Sequence, residues 1–534
     1  MKQLGTNILE TKHLILRPFK ESDYIDVYKN YASNDEVTKY VTWNTHQSPL
    51  ETKAYIESVV KEYTNENYYH WAIELKSNNN VIGAISSVKN DDVSIEIGYC
   101  SSIKMWSKGY MTEALVAVME YCFEKVGFKV MLARHETPNV ASGIVMKKAG
   151  MKYIGTNNEK GVSLELYKAT SEDYKLNRVE YLLNRIHKDT IKNFKYDTFG
   201  YQQDYRQNEQ ICYGYIPFID SIKPNLVVDI LPDIYKYNRT GILRNSTEYI
   251  CIHDTASAAP TATPKAHSAW LHNMSNDPEN HNSISWHYTI GDEEIYQHLP
   301  LDEVGYHAGD GTREILEFFP TGINATREGK ITVQEDGYYY YDGQNTNIKA
   351  PLDDKGNIVN NEQLPYNGVC YRIDENGKIL VGKTWFSKSY NRIGNRGGNL
   401  NTVGIETCVN YGSNYINTMR NTAYIVGKLI DQFDLPVGRV KQHNDFSGKD
   451  CPMTIRHAKL WEEFIELVRT EKYRNDYLRD AKFKFESLSK EYLDDKGIII
   501  KYEEGKEISY KVLVEIKDEK YEFVYQSKLG KKEF

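Results

Sequence analysis

The chain lacks the features that would mark it as a membrane, secreted or nucleic-acid-binding protein. It has no apolar run of about 18 residues, which excludes a transmembrane helix. Its first residues lack the hydrophobic core of a signal peptide, which predicts that the protein is made and kept in the cytosol. The net charge of −8 is modest and no long basic stripe occurs, so nucleic acid is not an expected partner.

Cysteine is scarce and odd in number. The 7 cysteines stand mostly alone in apolar stretches, and this pattern favours reduced thiols over a disulfide framework. The length of 534 residues is typical of about three or four domains, each able to bury its own core. We therefore expect a chain of several α/β units joined in series.

One short loop carries an unusual combination of reactive groups. His443, Lys449 and Cys451 lie within a single run that ends in Cys451-Pro452, and His253 closes an apolar strand far upstream. Imidazole nitrogen and thiolate sulfur are favoured ligands of Zn²⁺, and three protein ligands leave a fourth position open for water. A zinc ion in such a site makes water nucleophilic at neutral pH and polarises a carbonyl group. The pattern therefore indicates metal-assisted amide hydrolysis.

A second strand adds a carboxylate to this set. The residues 402–407 read as a core strand whose only charged side chain is Glu406. Glu406 is either a functional group or a structural carboxylate paired with a cation, and Lys449 is either functional or simply solvated. Cys408 lies on the same strand face as Glu406 and is a weaker ligand candidate. Five other histidines are not carried as ligands: His267, His272, His281, His298 and His457.

The segment from about 248 to 469 resembles the zinc-dependent N-acetylmuramoyl-L-alanine amidases of the endolysin and peptidoglycan-recognition type. The motifs that carry the resemblance are His253 after a strand, Tyr306-His307-Ala308-Gly309, Gly404-Ile405-Glu406, His443, Lys449 and Cys451-Pro452. The resemblance implies a zinc ion held by His253, His443 and Cys451. It also implies that Glu406 accepts a proton from water and that Lys449 stabilises the developing oxyanion. His307 is expected to donate a second hydrogen bond in the cleft or to shape it.

The amidase-like segment departs from the compact family pattern by an insertion at about 313–391. Its Asp, Asn and Gly turns lie between short Tyr, Ile and Val runs and predict β-hairpins: 337–343, 353–357 and 374–378. The tyrosines either stack on sugar rings at the rim of the cleft or pack the small core of the insertion itself.

The N-terminal part alternates strand and helix patterns and contains a glycine loop. Ser107, Lys108, Gly109, Tyr110 and Met111 lead into a helix, and a glycine at a helix start lets backbone N–H groups approach a phosphate. With Asn139-Val140-Ala141-Ser142 further on, residues of about 9–170 resemble the GNAT acyl-CoA N-acyltransferases, in particular the branch acting on ribosomal proteins and small amines. Trp106 and Met111 depart from the wider family, which prefers Arg or Gln and Gly or Ala there.

This second resemblance implies an acetyl-CoA site and an amine acceptor. Residues 107–111 would bind the CoA pyrophosphate, and Asn139 and Ser142 would flank the pantetheine arm. Glu96 is the expected base for the acceptor amine, or it anchors a neighbouring loop.

The fold expected is therefore α/β multidomain, with four parts. A GNAT-like mixed sheet with helices spans 1–172 and an adaptor spans 173–244. An amidase-type mixed sheet flanked by helices, with its β-rich insertion, spans 245–471. A small α+β tail spans 472–534, with a charged helix at 482–492 followed by alternating strands.

The expected function is a bifunctional enzyme, a peptidoglycan amidase fused to an acetyl-CoA-dependent N-acetyltransferase. Its partners would be peptidoglycan or muropeptides, acetyl-CoA and an amine, and the protein would reach the cell wall on lysis. Two alternatives stay open. In one, the amidase works beside a non-catalytic GNAT-like scaffold; in the other, the chain binds muropeptides without turnover.

Overall fold

The protein is described by a computed structural model that falls into two compact units, 1–185 and 186–534. The residues described are 2–197, 209–218, 220, 223–233, 238–244, 246–280, 283–308, 318–324, 331–341, 343–350, 371–373, 376–382, 397–447 and 449–531. Both units combine sheets with helices, which confirms the expected α/β multidomain fold. None of the helices in these ranges has both the length and the apolar character that a bilayer crossing requires.

The first unit is built on one sheet of eight strands in the order β1-β2-β3-β4-β5-β6-β8-β7. The strands are β1 Leu9–Glu10, β2 Leu14–Arg17, β3 His70–Leu75, β4 Val81–Asn90, β5 Ser94–Ser101, β6 Val130–Glu136, β7 Lys152–Glu159 and β8 Val162–Thr170. The α-helices are Tyr24–Val27, Asp35–Thr38, Pro49–Glu62, Tyr110–Glu120, Val140–Ala149 and Tyr174–Ile186.

One strand pair of this sheet is parallel and only partly joined. Within the described residues, β5 and β6 pair only over Ser94–Ile97 and Val130–Ala133, although both strands continue further. Separated strand ends leave backbone groups of both strands available for an extended ligand. The gap between the unpaired ends of β5 and β6 lies beside the N-terminus of the helix Val140–Ala149, because the Tyr99 hydroxyl of β5 donates to the Ser142 carbonyl at 3.0 Å.

The boundary of the first unit lies beyond the expected residue 172. The helix Tyr174–Ile186, assigned from sequence to the adaptor, packs on the first unit through buried polar contacts. Arg178 donates to the Ala149 carbonyl at 3.0 Å and pairs with Glu120 at 3.0 Å. Val179, Leu182 and Leu183 are buried on the same helix, so its apolar stripe belongs to the N-terminal core.

The second unit contains the remaining strands and helices. The strands are β9 Thr190–Ile191, β10 Phe194–Asp197, β11 Glu209–Cys212, β12 Asn225–Val228, β13 Tyr249–Asp254, β14 Tyr288–Ile290, β15 Glu294–Gln297, β16 Phe318–Asn324, β17 Ile331–Val333, β18 Tyr338–Tyr341, β19 Gln344–Lys349, β20 Tyr371–Ile373, β21 Lys378–Gly382, β22 Thr402–Thr407, β23 Val440–Gln442, β24 Lys482–Ser487, β25 Glu507–Ile516 and β26 Glu519–Leu529. The α-helices are Pro264–Asn276, Gly397–Asn401, Tyr415–Gln432, His443–Ser447, Met453–His457 and Trp461–Tyr477.

The main sheet of the second unit has the order β12-β15-β14-β22-β13-β23. Its central strands β14, β22, β13 and β23 run parallel, so their carboxyl ends meet at one edge. The apolar strand expected before His253 and the strand predicted at 402–407 are confirmed as β13 and β22, and the helix Tyr415–Gln432 follows β22 in the chain. Strand β12 joins this sheet although it lies in the segment assigned from sequence to the adaptor, because it pairs with β15.

The insertion forms short antiparallel sheets, as expected. Strand β18 pairs with β17 and with β19, which confirms the hairpin predicted at 337–343. Tyr339 and Tyr341 are buried, with 2% and 4% of their surface exposed, so they pack inside the insertion. The predicted turn at 353–357 lies outside the described residues.

The C-terminal tail differs from the prediction in one element. The helix predicted at 482–492 is wrong, because Lys482–Ser487 forms strand β24. Phe483 and Phe485 are buried while Lys482 and Lys484 are exposed, a period of two that fits a strand with one solvated face. The strands predicted after residue 498 are confirmed by β25 and β26, and β9 of the expected adaptor pairs with β26.

Candidate functional site

Three predicted metal ligands come together at the carboxyl edge of the main sheet in the second unit. His253, His443 and Cys451 each place one ligand atom within 4.8 Å of the other two, and all three side chains are buried. The Cys451 Sγ lies 3.7 Å from His253 Nδ1, and the rings of His253 and His443 are 4.6 Å apart. Residues separated by almost 200 positions therefore form one donor set of two nitrogens and a sulfur.

The loop carrying Cys451 is fastened to the strand carrying His253. Asp254, the residue after His253, accepts a hydrogen bond from the Thr454 backbone N–H at 2.9 Å. His443 Nε2 lies 2.6 Å from the carbonyl oxygen of Ala308. Because a carbonyl oxygen only accepts hydrogen bonds, Nε2 carries the hydrogen and donates it. These contacts hold two candidate ligands in place.

Glu406 lies beside this group on the neighbouring strand. The register pairs Glu406 with His253, and the Glu406 Oε1 is 3.8 Å from His253 Nδ1. The Glu406 side chain is 13% exposed, and its Oε2 has no hydrogen-bond partner among the residues described. Burial and the nearby Asp254 carboxylate raise the pKa of Glu406 well above its usual value, although Lys449 acts in the opposite direction.

The other groups of the site respond to the same buried environment. Burial lowers the pKa of His443 to about 4, with a further decrease from Lys449. Burial, followed by the carboxylates of Asp254 and Glu406, raises the pKa of the Cys451 thiol well above its usual value. Neutral imidazoles suit metal binding, whereas the thiol gives up its proton when a cation binds.

Lys449 and His307 occupy different places around the group. Lys449 is exposed, yet it is close enough to lower the pKa of both His253 and His443. His307 lies behind His253, where its Nδ1 is 2.9 Å from His253 Nε2. This places His307 against a candidate ligand.

A second group of three possible donors shares His253. Cys251, His253 and His307 also bring their ligand atoms within 4.8 Å of one another. Neither three-residue group found in the described ranges includes Cys408, and His267, His272, His298 and His457 are absent from both. His281 lies outside the described residues.

The loop of the first unit has the backbone conformation that its sequence suggests. Ser107 and Gly109 both have positive φ, at 61° and 87°, and Gly109 caps the helix Tyr110–Glu120. Trp106 donates its indole N–H to the Ser101 carbonyl at 3.0 Å, so this residue fastens the loop to the end of β5. A helix that begins directly after such a loop offers a favourable position for an anion such as a phosphate.

Asn139 and Ser142 lie at the next helix N-terminus. Asn139 is the N-cap of the helix Val140–Ala149 and makes no side-chain capping bond. The Ser142 carbonyl oxygen accepts a hydrogen bond from the Tyr99 hydroxyl. This contact connects the helix to the part of β5 that no longer pairs with β6.

Glu96 is held between two cations. The Arg134 Nε is 2.9 Å from its Oε1, and the Lys89 Nζ is 3.1 Å from its Oε2. The side chain is only 6% exposed. Both partners lie on the neighbouring strands β4 and β6, whereas the sequence suggested that Glu96 anchors a loop. The role of Glu96 as a base stays a prediction.

Comparisons with known proteins divide the chain in the same way. Residues 13–152 match the family model described as acetyltransferase (GNAT) domain, and residues 243–344 match the one described as N-acetylmuramoyl-L-alanine amidase. Residues 13–152 are thus similar to GNAT domains and residues 243–344 to amidase domains, which we call the GNAT domain and the amidase domain of this chain.

Relatives are found for each half separately. The amidase half is 25% identical over 237 residues to the N-acetylmuramoyl-L-alanine amidase CwlH of Bacillus subtilis, covering 44% of this chain and 58% of the relative. It is 24% identical to the amidase XlyA of the same species, covering 45% and 50%. The GNAT half is 29% identical to the uncharacterized N-acetyltransferase YoaA of B. subtilis, covering 28% and 84%. The chain thus spans little more than half the length of these two amidases.

Solved structures resemble the same two halves. The catalytic domain of XlyA is 23% identical, with a TM-score of 0.27, and covers 46% of this chain and 99% of that one. An acetyltransferase of the GNAT family from Bacillus anthracis is also 23% identical, with a TM-score of 0.28, and covers 31% and 99%.

The family model of the amidase domain reaches only part of the candidate site. It includes His253 and His307 but ends before Glu406, His443, Lys449 and Cys451. Sequence reasoning missed four residues around the site. Cys251 contacts His253, Asp254 holds the segment that follows Cys451, and Asn399 and Thr402 contact His307. Asp254 directly follows His253 and had a local signal, whereas Thr402 contacts His307 across 95 positions and had none.

Proposed function

We propose that the amidase domain hydrolyses the amide between the lactyl group of N-acetylmuramic acid and L-alanine in peptidoglycan, with Zn²⁺ as its cofactor. The observation that carries this proposal is the convergence of His253, His443 and Cys451 within 4.8 Å, with the Glu406 carboxylate beside them. The relatives CwlH and XlyA are both N-acetylmuramoyl-L-alanine amidases by name.

The residues present fit a zinc ion. Two nitrogens and one sulfur are the donor types of known catalytic zinc sites, and three protein ligands leave room for water or substrate. The buried Glu406 Oε2 has no hydrogen-bond partner among the described residues, as expected of a carboxylate that serves a water molecule. Zinc would supply Lewis-acid chemistry there, making a water more acidic and polarising the amide carbonyl.

The chain's own residues take separate parts in the proposed reaction. Glu406 accepts the proton of the attacking water at a carboxylate oxygen. It then delivers that proton to the nitrogen of the leaving L-alanine. The ammonium of the exposed Lys449 stabilises negative charge on the carbonyl oxygen.

The GNAT domain is proposed to transfer an acetyl group from acetyl-CoA to an amine. The backbone of Ser107, Lys108, Gly109, Tyr110 and Met111 would hold the pyrophosphate at the helix start. Asn139 and Ser142 border the gap between β5 and β6, where an extended pantetheine arm would pair with free strand backbone. The acceptor amine would approach Glu96, which must leave its ion pair with Lys89 or Arg134 to act as a base.

Digestion of purified peptidoglycan tests the amidase proposal. Free stem peptides beginning with L-alanine, beside uncut sugar strands, are expected by mass spectrometry. New reducing sugar ends without free L-alanine would contradict the bond assignment, and no cleavage would favour a muropeptide-binding protein.

Labelled acetyl-CoA offered with amino sugars, peptides and protein extract tests the GNAT domain, and no transfer would leave it a scaffold.

The route to the substrate is also part of the proposal. We expect the protein in the cytoplasm of intact cells and at the cell wall after lysis, and fractionation before and after lysis would test this.

A further inference from the structure

The two ring nitrogens of His253 face different surroundings. Its Nδ1 faces the candidate zinc site, 3.7 Å from the Cys451 Sγ and 3.8 Å from a Glu406 oxygen. Its Nε2 faces away, 2.9 Å from His307 Nδ1 and 3.1 Å from the Cys251 Sγ. Only the neutral form with hydrogen on Nε2 leaves a lone pair on the nitrogen that faces the site.

The hydrogen-bond directions can be followed from a carbonyl oxygen. The Thr402 Oγ1 lies 2.5 Å from the Gly398 carbonyl, which can only accept, so the Thr402 hydroxyl donates its hydrogen there. The same Oγ1 is 3.1 Å from His307 Nε2. Because its hydrogen is already engaged, Oγ1 accepts, and His307 Nε2 must carry a hydrogen.

The hydrogen on His307 Nε2 in turn determines which ring is the donor between His307 and His253. A neutral imidazole has a hydrogen on one nitrogen only. With hydrogen on Nε2, His307 Nδ1 is an acceptor. The contact of 2.9 Å with His253 Nε2 is then a hydrogen bond donated by His253.

We propose that Thr402 and His307 are positioning residues that fix the tautomer of His253, so that Nδ1 is the metal-binding atom. This inference rests on the proposed zinc site and gives His307 a role behind the ligand. Outer contacts of this kind orient metal-bound histidines and raise their basicity.

The backbone around His307 is arranged to hold its ring in place. The Asn399 Oδ1 accepts the backbone N–H groups of His307 and Ala308 at 2.9 and 2.8 Å. A Cβ at Gly404 would lie 2.5 Å from the His307 ring, so only glycine allows the ring to approach β22. Thr402, Gly404 and Glu406 are alternate residues of β22 and lie on the same face of that strand. One strand therefore carries both the first residue of this hydrogen-bond chain and the proposed base.

The same atoms suggest a rival arrangement, a second metal ion held by Cys251, His253 and His307. Two nitrogens bound to one tetrahedral zinc lie roughly 3.3 Å apart. The observed separation of 2.9 Å between His253 Nε2 and His307 Nδ1 is a normal hydrogen-bond length instead. The geometry therefore favours a hydrogen-bonded chain behind one metal.

Zinc affinity measured by chelator competition tests the chain with matched pairs of variants. Thr402→Val keeps the shape but removes the hydroxyl, whereas Thr402→Ser keeps the hydroxyl. His307→Ala removes the acceptor, whereas His307→Asn restores an oxygen near the position of Nδ1. We expect Thr402→Val and His307→Ala to weaken zinc binding by about 10- to 100-fold, with Thr402→Ser and His307→Asn close to wild type. The KM for muropeptides should not change.

Nitrogen NMR of the zinc-loaded wild-type protein, labelled with ¹⁵N-histidine, reports the tautomer without any variant. Hydrogen on His253 Nε2 and zinc on Nδ1 are expected. The reverse assignment, unchanged zinc affinity in Thr402→Val and His307→Ala, or two bound zinc ions with one lost in Cys251→Ser would each overturn the inference. Failure of the wild-type protein to bind zinc would overturn the proposed zinc site as well.

Discussion

His253 and Glu406 are register partners on the adjacent parallel strands β13 and β22, and His253 Nδ1 lies 3.8 Å from the Glu406 carboxylate. A proposed metal ligand and a proposed base are thereby held by main-chain pairing, without dependence on a loop. Rigid placement of this kind keeps a catalytic group within the narrow geometry that its reaction needs.

Replacement of Glu406 by Gln should separate catalysis from metal binding. The amide keeps the shape of the side chain but cannot accept a proton, so kcat for amide hydrolysis should fall by about 10²- to 10⁴-fold. Zinc content, measured by elemental analysis, should stay at the wild-type value. Glu504→Gln, at an exposed residue of the tail, is the matched control. Turnover that survives in Glu406→Gln would leave Glu406 a structural carboxylate.

Replacement of Gly404 by Ala should destabilise the amidase domain. The new Cβ would lie 2.5 Å from the His307 ring, and the crowding should lower the free energy of unfolding by about 1–3 kcal/mol. Gly438→Ala is the control, because no atom lies within 4 Å of a Cβ at that position. Urea denaturation of both variants measures the difference, and equal stability of the two would contradict the packing described here.

Replacement of Gly109 by Ala should weaken acetyl-CoA binding. Gly109 has a φ of 87° at the start of the helix Tyr110–Glu120, so alanine adds roughly 1 kcal/mol of backbone strain and crowds the proposed pyrophosphate loop. Gly161→Ala introduces the same strain, at a φ of 85°, in the turn between β7 and β8. Calorimetry should show weaker acetyl-CoA binding for Gly109→Ala alone. An equal loss in both variants would mean that the loop has no special role.

The carboxylate of Glu113 should make the GNAT domain sensitive to acid. Burial alone would raise its pKa, but the hydrogen bonds from His13 and Thr11 outweigh burial, and the net pKa is lowered. A lowered pKa contributes stability above the unfolded-state value, and this contribution is lost as the pH falls through the folded-state value.

Glu113→Gln should therefore destabilise the domain at pH 7, and its difference from the wild type should shrink below about pH 4. Hydrogen exchange of the helix Tyr110–Glu120 measures this, with the exposed Glu57→Gln as control. A difference that stays constant with pH would rule out the linkage.

The fold could be predicted from sequence where the periodicity was clear. The helix Tyr415–Gln432 follows from its apolar spacing, and the strands β13 and β22 that carry the site follow from short apolar runs. The strand Lys482–Ser487 was missed because its lysines and glutamate favour a helix, although the alternation with Phe483 and Phe485 indicates a strand.

The candidate site could be predicted only where chemistry is visible in the residue type. His253, His443 and Cys451 are recognisable as possible zinc ligands, and the structure brings them together. The contact from Thr402 through His307 to His253 has no local pattern, since it joins three separate segments and depends on hydrogen-bond direction. Contacts of this kind can be recognised only in the three-dimensional structure.

Release of new L-alanine amino groups from purified peptidoglycan is the most direct test of the zinc amidase. The full-length protein would be stripped with a chelator and assayed before and after zinc is restored, beside Cys451→Ala treated in the same way. We predict no release by the stripped protein, full recovery with zinc, and no recovery in Cys451→Ala. Equal release with and without zinc, or recovery in Cys451→Ala, would contradict the account.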